Sequence, residues 1–284
     1  MIGAGSGMFD WAEIEKIDAH MHILPDEVQR ANPDADNEFQ YAEAGLFSVL
    51  MRQFNIKSAV IMPFNDPRLM SMEFNIEAVH SNLFDLKQKS AGKFFAFADV
   101  DPDNSVEESC RFLIDAVEKY HLDGLKLHPQ NSGLHIDSLY NSELLKTAEV
   151  LKLPVAIHSY PNTADSPDAV RKVVNLIDKF PQVTFIVSHM GAFQWGELLD
   201  CPAYVDISAI LPDYVRKCGI EECRRMLHSF GADRLIFASD FPCNRVLSPK
   251  DIFTNYFEIL NFMDFSENEA HQIAVANISS ILKI

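Results

Sequence analysis

Two histidines separated by a single residue close a short apolar segment near the start of the chain. The segment reads KIDAHMH over residues 16–22, with Asp18 two positions before His20 and His22 two positions after it. Side chains two apart on a β-strand point to the same face, so these three are expected on one face and the intervening apolar residues on the other. Imidazole and carboxylate are typical ligands of zinc, so this row is either a chelating strand end or a coincidence. Asp18 is expected to support the site by orienting a ligand imidazole, and a buried hydrogen-bonding group at the strand end is the alternative.

Further polar residues stand at the ends of later apolar segments. They are Lys126 and His128 in GLKLHP, His158 in AIHSY, His189 in VSHMG and Asp240 in ASDFP. A lone histidine at such a place is more often a hydrogen-bonded core residue. Five of the chain's ten histidines at predicted strand ends favour one shared site instead.

The elements that must position these residues follow a regular order. Eight short apolar or β-branched runs are predicted as strands, at 16–22, 57–63, 94–100, 124–128, 154–159, 184–189, 203–209 and 235–240. Between them, apolar residues recur every three or four positions in helical segments such as 71–90, 105–120, 138–151 and 166–180. Ser105 followed by Glu108 fits a capping box at the start of one of these helices.

Alternating strands and helices predict parallel pairing, and eight such units predict a single-domain (β/α)8 TIM barrel. A doubly wound open sheet is the alternative, because a sequence pattern does not show closure. In the barrel, active sites lie at the carboxyl ends of the strands, where the listed polar residues fall.

Composition excludes some classes of protein. The 284 residues, 48% of them hydrophobic, can bury one large core or two small ones, and the net charge of −17 argues against nucleic-acid or anionic-membrane partners. We therefore expect a small-molecule substrate. The five dispersed cysteines include no C-x-x-C and indicate reduced thiols in a cytoplasmic protein. Residues 1–15 lack signal-peptide features and are expected to form a leader before a barrel over 16–284.

Six motifs, in order, carry a family resemblance: IDAHMHILP, GLKLHP, AIHSY, VSHMG, YVDIS and GADRLIFASDFP. With them the chain resembles the amidohydrolase superfamily over roughly residues 16–282. The similarity is to the amidohydrolase-related (amidohydrolase 2) branch of TIM-barrel metal-dependent hydrolases, which includes aminocarboxymuconate-semialdehyde decarboxylase. An isolated H-x-H is weak evidence, whereas the ordered series is specific.

The resemblance implies a role for each matching residue. His20, His22, His158 and Asp240 would surround one divalent ion, with zinc the expected metal, and His189 would polarise the substrate or transfer protons. A divalent ion can lower the pKa of bound water to about 7. A carboxylate such as Asp240 can then accept the proton during attack on a carbonyl, so Asp240 and His189 are the expected catalytic residues.

Lys126 leaves three alternatives open. We expect an ammonium that, with His128 nearby, binds an anionic group of the substrate, and Arg245 would add a second cation at the mouth of the pocket. A carboxylated Lys126 would instead bridge two metal ions, as in several amidohydrolases. The third alternative is an ion pair with a carboxylate inside the barrel. The long loop over 23–40 is a further expected source of substrate contacts.

Two reactions compete at this one site. The first is hydrolysis of a small, carboxylated amide, lactone or ester by metal-activated water. The second is metal-dependent, non-oxidative decarboxylation. A barrel without catalysis is the third hypothesis, and a full set of buried histidines argues against it because burying unused polar groups costs free energy. A homodimer is left open, since related barrels often dimerise. The remaining histidines (His80, His121, His135, His228 and His271) are left out of the site, those on helices as exposed residues.

Overall fold

Eight parallel strands, paired in the order in which they occur in the chain, form the sheet of the protein. The structure is a computed structural model that describes residues 9–24, 41–63, 75–159, 168–244 and 246–284. Every predicted strand is present. The strands are β1 (Lys16–His22), β2 (Ile56–Met62), β3 (Phe94–Ala98), β4 (Gly124–Leu127), β5 (Val155–His158), β6 (Phe185–Ser188), β7 (Tyr204–Asp206) and β8 (Leu235–Ile236).

Helices follow the strands and pack against their outer face. The capping box predicted at Ser105 is present, since the Ser105 hydroxyl accepts from the Glu108 amide and the Glu108 carboxylate accepts from the Ser105 amide. The helices are α1 (Ala44–Gln53), α2 (Ile76–Lys89), α3 (Val106–Glu118), α4 (Pro129–Ser132), α5 (Leu139–Leu151), α6 (Ala169–Lys179), α7 (Ile210–Cys218), α8 (Ile220–Phe230), α9 (Ile252–Leu260), α10 (Glu267–His271) and α11 (Asn277–Leu282). Two 3-10 segments (His189–Leu198 and Pro249–Asp251) and a π turn (Gln272–Ala276) complete them.

The first and last strands meet and bring the sheet close to full closure. The amide of Ala19 donates to the carbonyl of Phe237 at 3.1 Å, and the amide of Asp240 donates to that of His20 at 2.8 Å. Beyond them, the amide of His22 donates to Phe241 O at 2.7 Å. The predicted (β/α)8 barrel is therefore confirmed, and the open sheet is not what forms.

Asp18 stabilises this seam, the junction of β1 with the residues that follow β8. Its Oδ1 accepts from the amides of Ser239 (3.0 Å) and His20 (3.2 Å), and its Oδ2 accepts from the Ser239 hydroxyl. Burial raises the pKa of Asp18 to about 7, although these hydrogen bonds oppose the rise. Of the two roles expected for Asp18, the structure shows the buried hydrogen-bonding group, because its partners are backbone amides and a serine rather than an imidazole.

Strand β1 departs from the strict alternation expected for KIDAHMH. Its register against β2 shifts between Asp18 and Met21, as in a β-bulge. As a result Ala19 packs with the apolar cluster inside the barrel, whereas Met21 packs outside against the helices. The expectation that these two residues share a face is therefore wrong.

An apolar cluster fills one part of the barrel interior. It comprises Ile17, Ala19, Val60, Met62, Phe97, Ala156, Ile186, Ile236 and Ala238, together with Ile278 and Ile281 of α11. β4 and β7 point Lys126 and Asp206 inward, next to Ala156 and Ile236 of the adjacent strands. The buried side chains of Lys126 and Asp206 therefore lie beside this apolar cluster.

The described part of the predicted leader packs on the barrel. Trp11 is buried in the outer core, and its amide donates to Asn261 Oδ1 at 2.9 Å. The boundary at residue 15 stays a prediction. None of the five cysteines forms a disulfide. Within the described residues, no helix has the length and apolar character needed to cross a membrane.

Candidate metal centre

Three donor atoms converge where β1 and β8 end. His20 Nε2 and His22 Nε2 each lie 3.2 Å from Asp240 Oδ1, and the donor atoms of the three residues lie within 4.8 Å of one another. Asp240 has a φ of 60°, in the left-handed region that L-residues rarely adopt. The Asp240 amide donates a hydrogen bond to His20 O, and the Cys243 amide donates one to Asp240 O at 2.6 Å. These two hydrogen bonds hold Asp240 in this conformation. The seam of the barrel thus brings three of the four predicted ligands together.

Hydrogen bonds on the far side of each ring decide which nitrogen carries the proton. His20 Nδ1 lies 3.2 Å from Asp206 Oδ2, and His22 Nδ1 lies 3.2 Å from Met62 O. Burial lowers the pKa of His20 to about 4, so this ring is neutral at pH 7. A carboxylate and a carbonyl only accept, so each Nδ1 is placed to carry the ring proton, although Asp240 Oδ1 is a further acceptor at 3.2 Å from each Nε2. With the proton on Nδ1, both Nε2 lone pairs face Asp240.

This convergence fits a divalent cation. Two nitrogen lone pairs and a carboxylate oxygen within 4.8 Å repel one another unless a positive charge lies between them. Burial by itself raises the pKa of Asp240, but His20, His22 and His189 outweigh it and lower the pKa to about 2. The carboxylate is therefore ionised at neutral pH, as a metal ligand must be.

A second group of possible ligands comprises His20, His189 and Asp206, whose donor atoms also lie within 4.8 Å of one another. A hydroxyl occupies the space between them. Ser208 Oγ lies 3.2 Å from His20 Nδ1 and 2.9 Å from His189 Nδ1, and it donates to Asp206 Oδ1. These contacts account for the three residues as a hydrogen-bond network, so the His20, His22 and Asp240 group is the candidate metal centre.

Asp206 and Ser208 are site residues that the sequence reasoning missed. Both are completely buried and follow each other at alternate positions in YVDIS at the end of β7. The same rule that placed Lys126 beside His128 would have found them, because residues two apart on a strand share a face.

His158 lies outside the group of converging donors. Its Nδ1 is 3.0 Å from His189 Nε2, and its ring stacks on that of His128, with centroids 3.8 Å apart and planes 18° from parallel. Burial, and the neighbouring His128 and His189, keep the pKa of His158 well below its usual value. The predicted ligand is thus beside the centre, and its coordination stays a prediction.

His189 is fixed by an unusual turn. It and the next three residues all have positive φ, and all four are buried. The Ser159 hydroxyl donates to Ser188 O and accepts from the Gly191 amide at 2.9 Å, which ties the turn to the end of β5. Backbone of this kind costs free energy and persists where surrounding contacts enforce it. The turn holds His189 against His158.

Lys126 lies beneath these rings. It is 1% exposed, and its Nζ donates to Ser188 Oγ at 3.1 Å and lies 3.4 Å from His20 Nε2. Burial lowers its pKa to about 8, against the opposing attraction of Asp206 and Asp240. Its hydrogen-bond partners are thus a hydroxyl and an imidazole, not the carboxylate of the ion-pair alternative. Arg245 lies outside the described residues, as do residues 25–40 of the predicted substrate loop.

Of the histidines left out of the site, His80 differs from expectation. It is 1% exposed, between α2 and the end of β3, so the expectation of an exposed helical residue is wrong for it. His121, His135, His228 and His271 are exposed.

Comparison with known proteins decides the family. The sequence model of a family described as amidohydrolase matches residues 17–284. The chain belongs to this family. No curated protein matches the sequence of this amidohydrolase.

Several solved structures share the fold along nearly their whole length. A 5-carboxyvanillate decarboxylase of Novosphingobium aromaticivorans, complexed with manganese and 4-hydroxy-3-methoxy-5-nitrobenzoic acid, is 14% identical, with a TM-score of 0.70 and 100% of both chains covered. A dihydroxybenzoic acid decarboxylase of Polaromonas sp. JS666, with manganese and 2-nitroresorcinol, is 17% identical, with a TM-score of 0.64 and 95% of this chain and 97% of that chain covered. The probable 2-pyrone-4,6-dicarboxylic acid hydrolase of Acinetobacter baumannii, with citric acid, is 15% identical, with a TM-score of 0.67 and 95% and 100% covered.

The solved structures establish the barrel fold, and the family model establishes the family. The amidohydrolase has the fold of metal-dependent hydrolases and decarboxylases, and it carries a candidate His/Asp metal site at the carboxyl ends of its strands.

Proposed function

We propose that this amidohydrolase is a metal-dependent hydrolase of a small, carboxylated amide, lactone or ester. The observation that carries the proposal is the convergence of His20 Nε2, His22 Nε2 and Asp240 Oδ1, with both nitrogens 3.2 Å from the carboxylate oxygen and the donor atoms of the three residues within 4.8 Å of one another. We propose these three, with His158, as the residues that hold the ion, and zinc as the metal, one per chain. When bound, a divalent ion supplies Lewis acidity that polarises a substrate carbonyl and makes water more acidic.

Asp240 is the proposed general base. Its side chain is 12% exposed and lies at the mouth of the barrel, while its pKa of about 2 leaves it ionised. It is therefore able to take the proton of an attacking water and return it to the leaving group. His22 and the half-buried rings of His128 and His158 border the same mouth.

Substrate charge follows from the cation below the mouth. Lys126 is buried with Asp206 and Asp240, and its positive charge favours a substrate that carries a carboxylate. Lys126 is 1% exposed and its Nζ lies 3.4 Å from His20 Nε2, so a substrate group that contacts it must approach past the His20 ring. His128, on the same face of the chain two residues later, is the proposed second contact. Arg245 remains a proposed contact at the mouth.

Non-oxidative decarboxylation is the second candidate. The observation that favours it is the likeness of the whole barrel to two aromatic acid decarboxylases. The same carboxylate and the same cation would serve it, since a carboxylated substrate is again required and Asp240 would pass a proton from water to the carbon as its bond to the departing carbon dioxide breaks.

The test begins with metal content and ends with the fate of oxygen. The purified protein, supplemented with zinc or manganese, is expected to hold about one ion per chain. Carboxylated lactones, amides and aromatic acids are then screened in water enriched in 18-oxygen. Hydrolysis incorporates one labelled oxygen into the product acid, whereas decarboxylation releases carbon dioxide and leaves the product unlabelled. Failure to bind either metal would overturn the proposal.

Asp240→Asn is the variant that tests the base. It keeps the size of the side chain and removes the charge, so turnover is expected to fall by at least about 100-fold. Asp213→Asn provides the matched control, because Asp213 is an equally buried carboxylate that pairs with Arg216 on α7 instead. Equal losses in both variants would contradict a catalytic role of Asp240.

A further inference from the structure

The completely buried Asp206 carboxylate, at the end of β7, is surrounded by hydrogen-bond donors. Its Oδ1 accepts from the amides of His189 (3.0 Å) and Ser208 (3.1 Å) and from the Ser208 hydroxyl. Its Oδ2 lies 3.2 Å from His20 Nδ1. The single hydrogen of the Ser208 hydroxyl is used by Asp206, so towards both imidazole rings Ser208 Oγ can only accept.

The position of the proton on His189 follows from these contacts. Its Nδ1 lies 2.9 Å from Ser208 Oγ and 3.0 Å from the carbonyl oxygen of the same residue. Both are acceptors, so Nδ1 carries the hydrogen and Nε2 of this neutral ring has only a lone pair. That lone pair faces His158 Nδ1 at 3.0 Å. His158 must then donate through Nδ1, which leaves its own Nε2 unprotonated.

A second contact agrees for His20. Lys126 Nζ lies 3.4 Å from His20 Nε2, and an ammonium only donates. Asp240 Oδ1, 3.2 Å from the same Nε2, only accepts, so this side of the ring faces one donor and one acceptor. Nδ1 faces two acceptors, Asp206 Oδ2 and Ser208 Oγ, both at 3.2 Å, so the single proton of the neutral His20 ring is assigned to Nδ1.

We propose that Asp206 and Ser208 are positioning residues that fix His20, His189 and His158 together as Nδ1–H tautomers. Asp206 acts on His20 directly, and Ser208 acts on His158 through His189. The outcome is that His20 and His158, two of the four proposed metal ligands, both keep an unprotonated Nε2. The consequence for metal affinity rests on the proposed metal centre, whereas the tautomers themselves do not.

The direct measurement is long-range 1H–15N NMR of histidine side chains in the metal-free full-length protein. Substitution of each histidine in turn assigns the resonances. His20, His158 and His189 are each expected to show protonated Nδ1 and unprotonated Nε2. A protonated Nε2 on His158 in the unsubstituted protein would overturn the proposal, whatever reaction the protein catalyses.

Two variants measure how strongly Asp206 and Ser208 each influence the tautomers and the zinc affinity. Asp206→Asn replaces one acceptor oxygen by a donor, so His20 is expected to show a mixture of tautomers and the zinc affinity to fall about 10- to 100-fold. Ser208→Ala removes the hydroxyl but keeps the carbonyl that faces His189, so its loss is expected to be below about threefold. Zinc affinity is measured by competition with a chromophoric chelator, and unfolding by circular dichroism confirms that each variant is folded.

Asp213→Asn is the matched control, since it alters a buried carboxylate on α7 that pairs with Arg216 and Lys217. Unchanged tautomers and unchanged zinc affinity in Asp206→Asn would contradict the proposal. If Asp206→Asn fails to fold, the spectra of the unsubstituted protein and of Ser208→Ala decide it. If the unsubstituted protein binds no metal, the proposed function fails while the spectra still test the tautomers.

Discussion

Two regions of this amidohydrolase each contain a histidine that is 1% exposed. His20 lies on β1 among the strand ends, and His80 lies on α2, where its ring contacts the backbone of Asp99 just after β3. Burial lowers the pKa of both to about 4. Their partners differ: His20 contacts the side chains of Asp206, Asp240 and Lys126, whereas His80 Nε2 lies 3.2 Å from both the amide and the carbonyl of Asp99. A lowered pKa therefore reports burial, and only the partners distinguish a site from a structural contact.

The backbone shows the same difference. Around His20, the residues that face it have left-handed φ values, 63° at His189 and 60° at Asp240. His80 lies inside a regular helix capped by Asn75. Strained backbone is retained where it places particular side chains, so the strand ends are built for precision and the α2–β3 contact for packing.

The largest expected effect is the loss of metal binding when His20 is replaced. His20→Ala removes one of the three converging donors and is expected to weaken zinc or manganese binding by more than about 100-fold. His80→Ala is expected to leave the affinity within about threefold, because its partners are backbone atoms of Asp99. The measurement is metal titration with bound metal counted per chain. Similar losses in both would mean that His20 acts only by packing.

Acid sensitivity separates the two regions next. His80 is neutral in the folded protein down to about pH 4, while in the unfolded chain it takes a proton near pH 6.5. The unfolded state thus binds more protons between these values, and stability falls as the pH falls through this window. The loss attributable to His80 is at most about 3 kcal/mol and is fully absent above about pH 7.

His80→Gln removes this titration. The difference in free energy of unfolding between the unsubstituted protein and His80→Gln, measured by urea denaturation of metal-free protein from pH 7 to pH 4, is expected to shrink or reverse as the pH falls. A difference that stays constant across this range would show that His80 does not titrate on unfolding.

The sequence predicts some features of the two regions and not others, for physical reasons. The strands, the barrel and the convergence of His20, His22 and Asp240 follow from period-two patterns and from the rule that strand ends meet at one rim. The bulge in β1 does not follow, because register shifts depend on pairing with β2 and β8. Nor does the burial of His80, since charged neighbours along a helix do not show which face packs inward.

The site itself was predictable only in part, for a related reason. Asp206 and Ser208 lie in YVDIS with the same spacing as the predicted residues, but neither is a histidine, the residue type that indicated the site. His158 contacts His189 instead of joining His20, His22 and Asp240. This contact depends on the turn after β6, whose positive φ values do not follow from any sequence rule. Metal coordination by His158, the choice of zinc and the anion-binding roles of Lys126 and Arg245 stay predictions.

At neutral pH, His80 should matter for stability where His20 matters for metal. His80→Ala leaves a cavity and removes the contact of the His80 ring with the Asp99 backbone, and it is expected to lower the free energy of unfolding by about 2–3 kcal/mol at pH 7. Thermal or urea unfolding of the metal-free protein measures it. A loss below about 0.5 kcal/mol would show that this contact contributes packing of no consequence.

The smallest effect concerns the turn that holds His189. Gly191 has a φ of 68°, and a methyl group added there would lie 3.0 Å from Leu198 Cδ1 and 3.3 Å from Val170 Cγ2. Gly133, which ends α4, has the same φ and open space around it, so it provides a matched control. Gly133→Ala incurs only the backbone strain of about 1 kcal/mol, whereas Gly191→Ala adds the steric overlap and is expected to cost about 1 kcal/mol more.

The two glycine variants also differ in what they move. Displacing the Gly191 amide from Ser159 Oγ shifts the turn that positions His189 against His158, so Gly191→Ala is expected to lower zinc affinity severalfold as well as stability. Gly133→Ala should change stability alone. If both variants lost stability equally and neither changed zinc affinity, the strained turn after β6 would have no part in shaping the metal centre, and its four left-handed residues would need another explanation.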